Sequence, residues 1–160
     1  SLGQGAVKIE MRENKHMVTI PEVLLFEADT PTLKASSLPL LQALAKHVKA
    51  GTYPVDIIGH TDNRSAEEKG YRSTWELSSL MALRVLAYFE QQGGIGQERL
   101  TAYGSGAERP LRPNDTRASR AENRRIQIVL HSNLQSAINR IYREKPAGFL
   151  DYKRFTFEVF

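Results

Sequence analysis

Apolar and polar residues alternate over Ala6–Met11 and again over Met17–Ile20, separated by the polar run Arg12-Glu13-Asn14-Lys15. A period of two puts successive side chains on opposite faces, so the pattern predicts a hairpin whose second strand is limited by Pro21. A short apolar run, Val23–Phe26, leads into a loop at Glu27–Pro31, where Thr30 is held extended by the proline after it. From Ser36 to Val48 the spacing changes: Leu38, Leu41, Leu44, Ala45 and Val48 recur at helical intervals, and Gly51 follows as a stop. Val55–Ile58 reads as a buried strand, ending in Gly59-His60-Thr61-Asp62. A polar loop then leads to a helix over about Trp75–Gln92, with Leu77, Leu80, Met81, Val85, Tyr88 and Phe89 as its inward stripe and Gly93-Gly94 as its terminator. Leu100–Tyr103 is a strand, Pro110–Thr116 a loop, Arg117–Asn123 a short polar helix and Ile126–Leu130 a further strand. Beyond it, Leu134–Glu144 is amphipathic and Phe155–Phe160 alternates in the manner of an edge strand.

Strands and helices thus alternate behind a hairpin, which implies an α+β fold, a two-layer sandwich with a mixed sheet. The expected division is an N-terminal hairpin arm over 1–17, a central domain over 18–131 and a C-terminal helix and edge-strand extension over 132–160. At 160 residues one core is expected. Hydrophobic residues make up 41% and charged residues 25%, which excludes extensive disorder as the default state. No apolar run approaches the ~20 residues that span a bilayer. The absence of cysteine removes disulfides and thiolate ligands. A net charge of +4 permits attraction to polyanions, but the basic residues are dispersed, so nucleic acid is not the expected partner.

Candidate chemistry is sparse. There is no cysteine nucleophile, no histidine pair at metal-binding spacing, no phosphate-cradling glycine loop and no serine elbow, so neither catalysis nor a metal or other cofactor is expected. His60 and Asp62 form a His-x-Asp pair without a nucleophile. Asp62 itself stands at the carboxyl end of a buried strand, where such sheets present ligand contacts. An aspartate there also suits the capping of its own loop, and both readings stand. Arg124 and Arg125, at the start of the last sheet strand, are available as charge partners for a buried carboxylate, and plain surface basicity is the alternative reading.

The ordered series Ile58-Gly59-His60-Thr61-Asp62-Asn63, Trp75-Glu76-Leu77-Ser78, Gly93-Gly94-Ile95, Arg99–Gly104, Arg109-Pro110, Pro113–Thr116 and Arg120–Ile126 resembles the OmpA-like C-terminal domain family. Within that family it is most similar to the periplasmic part of MotB-type flagellar stator proteins. The resemblance covers roughly Val18–Leu130. It implies a β-α-β-α-β sandwich that binds peptidoglycan non-covalently, in the periplasm, as the wall anchor of a protein held in the inner membrane. A homodimer and an ion-channel partner subunit, reached through a membrane segment lying outside this sequence, are implied as well.

In such domains an aspartate takes the ammonium of the stem peptide's diaminopimelate and an arginine on the following helix takes its carboxylate. The aspartate corresponds to Asp62, with Thr61 beside it. With Leu77-Ser78 aligned on the family's Leu-Ser, the arginine position is held by Met81, which has no hydrogen-bond donor. Arg84 stands three residues further on as a substitute. Asp29 falls on a pocket position commonly occupied by Asp or Asn, and Asn123 and Arg124 match the family's Asn-Arg-Arg. The alignment turns Met81 toward the pocket, whereas its neighbours Leu77, Leu80 and Val85 suit a core residue. The departure at Met81 leaves an alternative role open, a dimerisation or protein-interaction module with weakened peptidoglycan binding.

Overall fold

The alternation at the N-terminus resolves into two antiparallel strands, β1 (Lys8–Arg12) and β2 (Lys15–Pro21), with Ile9 opposite Val18 and Met11 opposite His16. The computed structural model describes residues 6–12, 15–64, 66–131, 149–152 and 155–158. The hairpin is continuous with the main sheet, because β2 pairs antiparallel with β5 (Arg125–Leu130) from His16 to Pro21. Next to β5 lies β3 (Val55–His60), antiparallel to it and parallel to the edge strand β4 (Leu100–Gly104). The sheet order is therefore β1-β2-β5-β3-β4, a mixed five-stranded sheet.

Helices cover one face. Pro21 leads into α1 (Glu22–Leu25), a single helical turn in place of a merely apolar run. A 3-10 turn over Ala35–Ser37 opens α2 (Leu38–Ala50), in which Pro39 is tolerated at the first turn and Gly51 ends the helix. The long helix α3 (Thr74–Gln91) starts at Ser73, whose hydroxyl accepts the Glu76 amide at 3.1 Å, and ends where Gly94 adopts a left-handed φ of 62°. A short helix, α4 (Arg117–Asn123), is capped by Thr116 and feeds directly into β5.

The sheet alternation decides what the helices meet. Val55, Ile57 and Gly59 of β3 share a face with Ile126, Ile128 and Leu130 of β5 and with Val18 and Ile20 of β2. Those side chains form one core with Leu41, Ala45 and Val48 of α2 and Leu77, Met81, Ala82, Val85 and Phe89 of α3. Leu80 and Tyr88, assigned by spacing to the same stripe, are only half-buried. Gly59 is required by close approach: a Cβ there would overlap the Ser78 carbonyl, so α3 lies directly on the end of β3. The residue after that contact is the histidine of the strand end, and the loop that follows carries Asp62.

The alternating C-terminal stretch pairs locally. Phe155–Glu158 (β7) runs antiparallel to Phe149–Tyr152 (β6) as a separate two-stranded sheet and adds no strand to the five-stranded one. The amphipathic stretch Leu134–Glu144 lies outside the described residues.

Candidate ligand-binding site

The end of β3 delivers Asp62 to the interior. Its side chain is 1% exposed and three donors converge on it: Arg124 Nη1 at 2.6 Å, Arg64 Nε at 2.8 Å and the Arg64 backbone amide at 3.0 Å. Burial opposes ionisation, but the hydrogen bonds from Arg124 and Arg64 outweigh it and hold the carboxyl below its usual range. Asp62 therefore caps its own loop through the Arg64 amide and is also the centre of an ion-pair network.

The network extends in two directions. Arg124 Nε reaches Glu22 Oε2 at 2.8 Å, tying the start of α1 to the start of β5, and the Glu22 amide donates to the Arg124 carbonyl at 3.0 Å. Burial raises the Glu22 pKa in spite of that arginine. Arg64 Nη2 reaches Asp29 Oδ1 at 3.2 Å, and Lys69 Nζ meets the same oxygen at 2.9 Å. Asp29 stands in the left-handed region at φ 57°, and desolvation of its carboxyl is outweighed by the hydrogen bond and charge of Lys69, which lower its pKa. Two segments distant in sequence, the α1 exit and the loop after β3, are thus clasped by one guanidinium.

Above this network lies an open cleft of about 400 Å³, lined by Glu22, Val23, Phe26, Ala28, Asp29, Lys34, Arg64, Arg117, Arg120 and Arg124. Five lining residues are cationic and two anionic, so the walls carry an excess of positive charge. Asp62 is not among them; the two guanidiniums stand between its carboxylate and the cleft.

Of the residues singled out from the sequence, Asp62, Arg124 and Asp29 come together in this network. Thr61 is buried beside it, its amide bonded to the Gly106 carbonyl at 2.9 Å and its hydroxyl without a partner. Asn123, the last residue of α4, is fully buried and clamps the proline-bearing loop: its Oδ1 accepts the Leu111 and Arg112 amides and its Nδ2 donates to the Arg112 carbonyl. Leu77 and Met81 are core residues, each 1% exposed, and neither lines the cleft. The pocket-facing placement of Met81 is corrected: the inward stripe of α3 turns position 81 onto the sheet with Leu77 and Val85. Arg84 is exposed and also away from the cleft. His60, the last residue of β3, is buried with both ring nitrogens unpartnered and makes no bond to Asp62.

Sequence reading missed Arg64, Glu22, Lys34, Lys69, Arg117 and Arg120. Arg64 alone had a local signal, an arginine two residues after a strand-end aspartate. Glu22 and Lys34 had none, because only the sheet order brings α1 beside the β3 loop. Among the described residues no cluster of three or more acidic, histidine or cysteine side chains is suited to a metal, and no helix is long and apolar enough to cross a membrane.

Fold and site together define a two-layer α+β domain with a charged cleft at one end of its sheet. The OmpA family model matches residues 25–124, and the chain belongs to that family. Curated relatives include the outer-membrane lipoprotein YfiB of Pseudomonas aeruginosa, 31% identical over 76% of this chain and 70% of its own, and YtxE of Bacillus subtilis, 29% identical over 71% and 47%. A stretch of the photosystem I P700 apoprotein A2 of Gloeobacter violaceus is 35% identical over 74% of this chain but makes up 14% of that protein. The chain spans about half the length of most of the curated relatives it matches. Among solved structures, the cell wall anchor of the type VI secretion system of P. aeruginosa superposes with a TM-score of 0.74 at 29% identity, covering 79% of this chain and 87% of that one. The periplasmic domain of Helicobacter pylori MotB gives 0.75 at 23% identity over 87% and 91%, a likeness of fold.

Proposed function

We propose that this domain binds peptidoglycan non-covalently and without catalysis, at the cleft over Asp62, and fixes its parent protein to the cell wall. The observation that carries the reading is the network itself. In an OmpA-family domain, a buried aspartate at the end of β3 organises arginines from two segments around an open cleft, an arrangement suited to a charged ligand and lined by no serine, cysteine or histidine. The relatives support the same role, since one is described as a cell wall anchor and another as the periplasmic domain of MotB. The finer proposal is a MotB-like stator protein: a periplasmic domain of an inner-membrane parent, working as a homodimer beside an ion-channel subunit.

Sedimentation with purified sacculi tests the reading. The wild-type domain is expected in the pellet. Arg117→Glu, which reverses an exposed charge on the cleft wall, is expected to shift it toward the supernatant at equal salt. A wild-type domain that stays in the supernatant would refute wall binding and favour a purely protein-interacting module.

A further inference from the structure

The family resemblance implies a ligand held by its ammonium on Asp62 and by a carboxylate on an arginine at position 81. This chain has neither arrangement. Position 81 is in the core, and Asp62 is covered by the guanidiniums of Arg64 and Arg124, with its side chain 1% exposed. Arg64 makes with Asp62 the contact that the resemblance assigns to a ligand ammonium. Its Nε meets Asp62 Oδ2, its Nη2 meets Asp29 Oδ1, and it is itself 43% exposed on the cleft wall.

We infer that the cleft recognises its ligand through carboxylates, with Arg64 and the α4 arginines Arg117 and Arg120 as the carboxylate-binding groups, and does not require a free amine. The inference rests on the peptidoglycan reading and specifies its chemistry. Three observations carry it. The anionic residues facing the cleft are already engaged: Glu22 by Arg124, and Asp29 by Arg64 and Lys69. The cations are not all engaged. The Arg117 side chain makes no hydrogen bond or ion pair among the described residues, and Arg120 uses Nη1 on the Asn114 carbonyl at 3.0 Å. Arg64, after meeting both aspartates through Nε and Nη2, keeps Nη1 for a further acceptor. A guanidinium has five N–H donors in a planar fork, so one that bridges two carboxylates can still bind a third. Arg64 thereby supplies, from the loop, the guanidinium that α3 lacks. An incoming ammonium would have to displace Arg64 from Asp62 and Asp29 together.

The test uses the full 160-residue chain and calorimetric titration with three probes. These are N-acetyl-L-Ala-γ-D-Glu-meso-diaminopimelate, the same peptide with its free amine acetylated, and the same peptide with its diaminopimelate carboxylates amidated. Acetylation is expected to change affinity less than about threefold, and amidation to weaken it about tenfold or more, the scale of a lost hydrogen bond to a charged group. Arg64→Met is expected to weaken the parent peptide about tenfold and to make the amine matter, since Asp62 then becomes reachable. A tenfold loss on acetylation in the wild type, or none on amidation, overturns the inference while leaving wall binding intact if sacculi still pellet the domain. Failure of both sacculi and all three peptides to bind overturns both.

Discussion

Replacing Asp62 by alanine should unfold this domain more readily before it reveals anything about ligand. The substitution removes the acceptor of three hydrogen bonds at 2.6, 2.8 and 3.0 Å. Their contributions are unequal. Arg64 is 43% exposed and turns to water at little cost, so its side-chain bond is worth about 1 kcal/mol or less. Arg124 is 22% exposed, keeps Glu22, and loses a charged hydrogen bond worth about 1.5–3 kcal/mol. The Arg64 amide adds about 1 kcal/mol. Together these give about 3–5 kcal/mol, the usual cost of breaking a buried ion pair. With a urea slope near ~2 kcal/mol/M, the unfolding midpoint at pH 7 should fall by about 2 M. The gap must also depend on pH. Because the folded-state pKa of Asp62 is depressed, its stabilisation is complete above the unfolded value of about 4 and disappears as pH falls through the folded one. Wild type and Asp62→Ala should therefore converge in acid. A gap below 1 kcal/mol at pH 7, or one that persists unchanged under acid conditions, refutes the network as described.

Three other outcomes follow from the same structure. Met81→Leu should cost less than about 1.5 kcal/mol and Met81→Arg about 3–5 kcal/mol, because the latter buries an unpaired charge; a Met81→Arg protein that melts like wild type and gains peptide affinity would restore the pocket-facing placement. His60 is 2% exposed, and burial, aided by the charge of Arg125, lowers its pKa from 6.5 to about 4; the nearby Gln127 favours the charged form but does not reach hydrogen-bonding geometry with the ring. Since the folded value is the lower one, stability is full above pH ~6.5 and declines by about 3 kcal/mol toward pH ~4, and His60→Phe should abolish that slope in urea melts across this range. Gly59→Ala should cost about 3 kcal/mol or more, read by thermal denaturation, because its Cβ meets the backbone of Ser78 rather than a side chain that can move.

Periodicity alone determined most elements of this protein, the single turn of α1 excepted. The spacing from Leu38 to Val48, the Gly93-Gly94 stop and the alternation of Met17–Ile20 are local facts, and the local backbone obeys them, as in α2, α3 and β2. The resemblance carried the architecture and the position of Asp62, and of the basic pair at the start of the last strand Arg124 does partner the buried carboxylate, whereas Arg125 is buried and donates to the Asn123 and Arg109 carbonyls. What the sequence could not show was which residues share the cleft. Glu22, Asp29, Lys34 and Arg64 are brought together by the antiparallel pairing of β2 and β3 on either side of β5, a long-range event with no local signature. Met81 shows the same division. Its alignment column implied a ligand contact, but helical phase and the close approach of α3 to Gly59 turn that side chain into the core, and the guanidinium facing the cleft comes instead from the loop at Arg64.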